Sequence, residues 1–424
     1  MPRSRTLQSR AFLNVAAEAP ASAGPMHLIP GTSSLRQDCV AALEDRLQET
    51  ARCVRSAGTV NPKKGSTVYV GSPGIAYAFL KLATIQTGDQ KQASLDTAQK
   101  LLSPDVVEAG VEQARRHRSL GPSLLCGPAG LFVVQALLGW QQGLPFASQS
   151  AVFQGAVQSY KQYFDYAVHE LDSDEWLYGR AGYLYGCLFL NFLAPGSVSE
   201  AKIKQLSMKM LESGEAYGRR TGASPLLYSW HDREYLGAAH GVMGIVYMLM
   251  LVEPIRNDPN AMRLVKGTLE WLLTLETKHH NWPAVRGETD DYLCHFCHGA
   301  TGAVFAFGLG SIVFNNREFQ KAALRAATCV WKYGLLKKGP GICHGISGSG
   351  YALLMAYKLT RDPIWLDRAA DFALKMFDEK LQADSRVPDN PFSLFEGLSG
   401  AICFLVDLLK NPLKAAFPLF ELGF

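Results

Sequence analysis

Cys343-His-Gly-Ile-Ser-Gly348 runs directly into the apolar segment Ser349-Gly-Tyr-Ala-Leu-Leu-Met-Ala-Tyr357. Glycine at both ends of a four-residue element, followed by a stretch without charge, reads as a tight turn feeding a buried helix. The Gly-x-x-Gly kernel of this stretch occurs six more times, as Gly71-Ser-Pro-Gly74, Gly127-Pro-Ala-Gly130, Gly179-Arg-Ala-Gly182, Gly241-Val-Met-Gly244, Gly299-Ala-Thr-Gly302 and Gly397-Leu-Ser-Gly400. Successive first glycines are about 46 to 62 residues apart, the period expected of stacked helical hairpins. A single pair of this kind means nothing; seven at near-even spacing define a repeat.

Each kernel opens an apolar run of about three turns, at 75–82, 131–138, 183–190, 245–251, 303–309, 351–357 and 401–409. Runs apolar nearly all round suit helices buried on every side. Between them lie amphipathic stretches with charges at helical spacing, such as 262–275, 320–333 and 364–377, which read as an outer layer. Strand signals are sparse. The expectation is an all-α chain, an α/α toroid of seven helical hairpins with inner and outer layers, formed by residues 36–424 as one domain. Proline and glycine between repeats, as at Pro195-Gly196, Pro254 to Pro259 and Pro388 to Pro391, mark surface loops. Residues 1–35 read as a partly flexible arm containing the connector Pro20-Ala-Ser-Ala-Gly-Pro25.

Composition bounds the function. Of 424 residues, 48% are hydrophobic and 19% charged, which is ordinary for a globular protein able to bury a large core. A net charge of +4, with no dense basic run interleaved with aromatics, gives no case for nucleic acid. Nine scattered cysteines, an odd number, do not frame a disulfide scaffold and read as reduced thiols of a cytoplasmic protein. No apolar stretch is long enough to span a membrane, and a chain opening Met-Pro lacks the second-position glycine that myristoylation requires. The first 30 residues, rich in Arg, Ser and Ala with Glu18 as sole acid, only faintly resemble a transit peptide. The expectation is a protein without a transmembrane segment, with peripheral attachment at the plasma membrane left open.

In a ring of repeats, equivalent positions converge on one end of the central hole. The residue before each first glycine is Val70, Cys126, Tyr178, His240, His298, His344 and Glu396; one step earlier the series is Tyr69, Leu125, Leu177, Ala239, Cys297, Cys343 and Phe395. Three successive repeats therefore present His, Cys-His and Cys-His to a shared opening. A lone Cys-His pair is usually packing, but two copies in phase point to a metal. Thiolate and imidazole suit zinc, and two cysteines with one histidine leave a fourth position open, as catalytic zinc requires. Cys297, His298, Cys343 and His344 compete for those three places, and spacing does not choose among them. Cys294-His-Phe-Cys297 also has the form of a redox CxxC, but the βαβ context for that chemistry is missing.

At these residues the chain resembles the eukaryotic lanthionine synthetase C-like (LanC-like) proteins. The likeness runs through Leu177-Tyr-Gly-Arg-Ala-Gly-Tyr183, Gly237-Ala-Ala-His-Gly241, Cys297-His-Gly299, Gly334-Leu-Leu-Lys-Lys-Gly339, Cys343-His-Gly345, Pro391-Phe-Ser-Leu-Phe-Glu-Gly397 and the tail Phe417-Pro-Leu-Phe-Glu-Leu422. It implies a seven-hairpin toroid with zinc held by Cys297, Cys343 and His344. By position, His240 resembles the family's acid/base histidine, and Arg10, Lys338 and Arg386 resemble its glutathione-contacting groups. The resemblance implies addition of glutathione to dehydroalanine or dehydrobutyrine residues in peptides or proteins, sometimes after phosphate elimination from phospho-Ser or phospho-Thr. Asp174 and Glu175 are left unassigned. The chain departs from the family in having Phe296 where Trp is expected before the cysteine, Thr301 in place of Pro, and Pro340 in place of an aromatic.

Three functions fit this pattern. The first is a zinc-dependent thiol transferase. The second is a scaffold or sensor that keeps zinc and glutathione affinity without turnover. The third, thiol alkylation of the prenyltransferase type, would require an aromatic funnel and an obligate partner subunit, and the motifs argue against it.

Overall fold

The computed structural model describes residues 6–18, 25–57, 65–144 and 146–424; most of the connector at 20–25 lies outside them. Each of the seven kernels begins a helix with its first glycine as the N-cap. These inner helices are Ser72–Ala83, Pro128–Gln142, Arg180–Leu193, Val242–Leu251, Ala300–Val313, Ile346–Thr360 and Leu398–Lys410. They are buried on nearly every face, as their uniform apolarity requires. Consecutive inner helices pack side by side, and Leu398–Lys410 packs against Ser72–Ala83, so the ring closes. Among the described residues there is no β-strand, only isolated bridges.

Outer helices follow their inner partners, for example Pro259–Leu273, Arg317–Tyr333 and Pro363–Lys375 after the fourth, fifth and sixth. Arg317–Tyr333 shows how one is made. Asn316 caps it by accepting from the amides of Glu318 and Phe319, which stabilises its start by about 1 kcal/mol. Phe319, Ala322, Ala323, Ala326, Ala327 and Val330 then recur at three- and four-residue spacing and face inward. The seventh pair is assembled differently from the rest. The outer helix packed on Leu398–Lys410 is Gln37–Ser56, from the opposite end of the chain.

The second glycine of each kernel is needed for close approach and not for unusual dihedrals. A Cβ on Gly182 would fall on the Trp176 carbonyl and press on Leu124 of the preceding repeat, and one on Gly130 would meet Leu124 and Val68 in the same way. At these contacts the turns of neighbouring repeats touch. Backbone hydrogen bonds then join the seven turns into a circle: Tyr69 N to Leu125 O (2.9 Å), Leu125 N to Leu177 O (3.4 Å), Trp176 N to Ala239 O (3.1 Å), Ala239 N to Cys297 O (3.5 Å), Cys297 N to Cys343 O (3.3 Å), Cys343 N to Phe395 O (2.9 Å) and Phe395 N to Tyr69 O (3.3 Å). Six of these bonds are donated from the same register position. The third turn donates one residue early, because the Leu177 amide is taken by Glu175 Oε2 at 3.1 Å.

Across the seam between the first and last inner helices, buried Lys81 pairs with Asp407 at 2.8 Å. The Asp407 carboxylate also accepts from Tyr351 Oη (2.9 Å) and the Ala416 amide (3.2 Å), so the pair is not left short of partners. The C-terminal tail turns into the hole. Phe420 packs edge-on to Trp176 (5.1 Å) and Phe296 (4.9 Å) and stacks on Tyr247 (4.3 Å), while Phe417 stacks on Phe296 (4.0 Å). Trp176 Nε1 donates to Leu419 O (3.2 Å), and Tyr185 Oη donates to Glu421 O (3.1 Å). The tail thus fills the hole beneath the ring of turns. Phe296, where the family expects Trp, belongs to this aromatic floor.

Candidate functional site

Above that floor the ring of turns encloses a cavity of about 390 Å³. Arg10, Tyr69, His240, Tyr292, His295, Cys297, His298, Lys338, Cys343 and His344 line it, together with Leu177, Ala239 and Leu293. Among the described residues, two cations and four imidazoles line this space and no carboxylate does.

The fifth and sixth turns supply its deepest part. Cys297 and Cys343 are buried, and their sulfurs and a ring nitrogen of His344 all lie within 4.8 Å of one another. The hydrogen bond between the two buried cysteines holds the Cys343 thiol well below its usual range and pushes that of Cys297 well above. The donor set and its spacing fit one zinc ion with a position to spare. His298 stands outside the group, leaning toward Tyr235 at 5.7 Å between ring centres. Its buried Nδ1 has no hydrogen-bond partner among the described residues, and burial lowers its pKa to about 4.

His295, which the repeat phase does not pick out, is buried beside the centre with Nδ1 4.0 Å from Cys297 Sγ. Burial, then the charges of His344 and Lys338, holds its pKa well below the usual value. Cys294 turns away, with Sγ 3.9 Å from Thr301 Oγ1. The Thr301 hydroxyl donates to Cys294 O at 3.0 Å, so this departure from the family's proline leaves no polar group unsatisfied. None of the nine cysteines is in a disulfide.

On the facing side, His240 Nδ1 lies 2.6 Å from Glu175 Oε2. Glu175 is buried and also accepts the amides of Leu177 and Tyr178. A carboxylate so placed accepts a hydrogen bond from Nδ1–H, which leaves Nε2 for the cavity that His240 lines. Asp174, one residue earlier, has a different role: it pairs with buried Arg180 at 2.9 Å and accepts from Ser213, while burial raises its pKa. Sequence alone does not divide these two acids. The signal that separates them is the displaced register of the third turn.

The cations arrive from two chain segments. Arg10 ends the short helix Leu7–Arg10, after which Ala11 bridges Leu336 and Phe12 N donates to Leu335 O at 2.7 Å. Lys337 N donates to Arg10 O at 3.1 Å, which places Lys338 beside Arg10. The Arg10 guanidinium lies over the Tyr292 ring, 5.4 Å from its centre. Arg386 is not brought into the cavity. Its amide donates to Lys337 O at 2.7 Å, but its exposed side chain pairs with Asp389 at 3.1 Å and borders a separate surface pocket with Pro340.

Fold and site together define an α/α toroid with a thiol- and imidazole-lined centre at one mouth. A family model described as lanthionine synthetase C-like protein matches residues 62–422. The chain is 32% identical over 401 residues to the protein named glutathione S-transferase LANCL1 of Danio rerio, covering 92% of this chain and 93% of that protein. The solved structure of nisin cyclase superposes with a TM-score of 0.61 at 14% identity, covering 89% of this chain and 95% of that one, which shows a shared fold. The chain belongs to the lanthionine synthetase C-like family. No helix among the described residues is long and apolar enough to cross a membrane.

Proposed function

We propose that this protein is a zinc-dependent transferase that adds the thiol of glutathione to dehydroalanine or dehydrobutyrine residues of peptides and proteins. The observation that carries the reading is the meeting of two sulfurs and an imidazole within 4.8 Å of one another, in a cavity lined by two cations and, among the described residues, no carboxylate. Cys297, Cys343 and His344 would hold the metal. When bound, zinc would supply the Lewis acidity that keeps a glutathione sulfur as thiolate near neutral pH.

The chain's own groups account for the rest. Arg10 and Lys338 would grip the two carboxylates of glutathione by charge-assisted hydrogen bonds, without Arg386, whose side chain stays outside the cavity. The sulfur forms a bond to the substrate β-carbon, and the π electrons move toward the substrate carbonyl. The α-carbon then takes a proton from His240 Nε2, and Glu175 stabilises the imidazolium before transfer. Read in reverse, the same pair would remove an α-proton from phospho-Ser or phospho-Thr as phosphate leaves the β-carbon, generating the dehydro residue. The Danio rerio relative is named a glutathione S-transferase, which supports glutathione as the co-substrate.

The test is turnover of a dehydroalanine peptide with glutathione, followed by mass spectrometry. The adduct should form with wild type and fall by about 10²-fold or more in His240→Gln with metal retained. Tight glutathione binding with no adduct would replace this reading with a zinc- and glutathione-binding scaffold.

A further inference from the structure

The wall above His240 carries a residue that the chemistry so far leaves unused. Trp230 N donates to Arg233 O (3.0 Å) and Arg233 N to Trp230 O (3.1 Å), closing a two-residue hairpin turn. His231 (φ 49°) and Asp232 (φ 56°) both take the left-handed conformation that favours glycine. Neither is glycine, so the turn is held under strain, and the Arg233–Glu288 ion pair at 2.6 Å ties it to the facing loop. The strained turn presents the indole of Trp230. That ring lies parallel to the His240 imidazole, 4.1 Å between centres and 4° between planes. Tyr178 lies nearly parallel to both rings, 5.8 Å from Trp230 and 6.5 Å from His240, and His231 meets the indole edge-on at 4.3 Å.

Two restraints on His240 are thus perpendicular to each other. The hydrogen bond from Nδ1 to Glu175 fixes one point in the ring plane, but one bond leaves the ring free to swing about that axis. A parallel aromatic face in contact removes the swing and favours the ring most when it is cationic. We propose that Trp230 is a positioning residue that holds the plane of His240 so that Nε2 protonates one face of the substrate α-carbon. The inference rests on the reading of His240 as the proton donor.

The experiment compares Trp230→Leu and Trp230→Phe with wild type, alone and in a His240→Gln background. In Trp230→Leu, metal content and the KM for glutathione should stay within about twofold, while kcat falls about tenfold. The adduct, a single α-carbon epimer from wild type, should become a mixture of epimers as solvent protonates either face. Trp230→Phe should recover much of both properties, and Trp230→Leu should cost nothing further once His240 is Gln. Unchanged kcat and epimer ratio in Trp230→Leu would overturn the proposal. One readout needs no turnover: the carbon-bound ring protons of His240, in histidine-labelled protein, should be shifted upfield by the indole and return to ordinary positions in Trp230→Leu. A wild type without transferase activity but with those shifted protons would refute the transferase reading and uphold the positioning. Unshifted protons in wild type would refute the positioning whatever the activity.

Discussion

Glu175 Oε2 and His240 Nδ1, 2.6 Å apart, join the third turn of the ring to the fourth at the point where the circle of backbone bonds slips its register. Glu175 occupies both the Leu177 and Tyr178 amides, so the ring gives up one regular bond to hold a carboxylate against the histidine. Glu175→Gln keeps the shape and removes the charge that would stabilise the imidazolium. Its kcat should drop about 10²-fold with little change in the KM for glutathione, measured by steady-state adduct formation. Asp174→Asn should instead lower thermal stability, because it strands buried Arg180.

Metal content distinguishes the two histidines that the repeat phase leaves equivalent. Cys343→Ala should lose nearly all bound zinc in elemental analysis. His298→Ala should keep it, since its ring lies outside the group formed by Cys297, Cys343 and His344.

The three cations should separate by placement. Lys338→Ala and Arg10→Ala each remove a charge from the cavity wall, and the loss of one charge-assisted contact, about 1.5–3 kcal/mol, should raise the KM for glutathione about 10- to 100-fold. Arg386→Ala, whose side chain answers Asp389 at the surface, should change it less than about threefold.

The N-terminal segment that carries Arg10 is pinned further along by His27. Its Nε2 lies 3.4 Å from Asp371 Oδ1, and its amide donates to Asp367 Oδ1 at 2.7 Å. The bond to Asp371, helped by one to Cys39, raises the His27 pKa from 6.5 to about 9. A raised pKa in the folded state stabilises it fully below pH 6.5, and the stabilisation fades as pH climbs to about 9. Thermal melts of wild type should decline across that window more steeply than those of His27→Gln.

Much of this architecture was legible in the sequence because a repeat converts position into geometry. The spacing of Gly71, Gly127 and their successors located the starts of the inner helices, though the helices extend beyond the apolar runs at most ends, and the residues preceding the glycines marked out Cys297, Cys343, His298 and His344. Phase could not choose between His298 and His344. That depends on which imidazole shares a pocket with both sulfurs, and neighbouring turns decide it. Glu175 lies two residues before Leu177, outside both series. Trp230 sits in a connection outside the repeat, where nothing periodic points to it, whereas His295 holds the place before Gly299 that Glu175 holds before Gly179, likewise outside the two series. The pairing of Gln37–Ser56 with Leu398–Lys410 joins the two ends of the chain, a contact that local patterning does not encode.

The tail that fills the hole makes the cavity within the ring of turns a well and not a tunnel. A polypeptide cannot thread through this ring from one face to the other; it can only lower a loop or an end to the bottom and lift it out again. On the proposed reading, residues in mobile segments with enough slack to descend past the rim would be the ones within reach, and each product would have to clear the shaft before the next substrate enters.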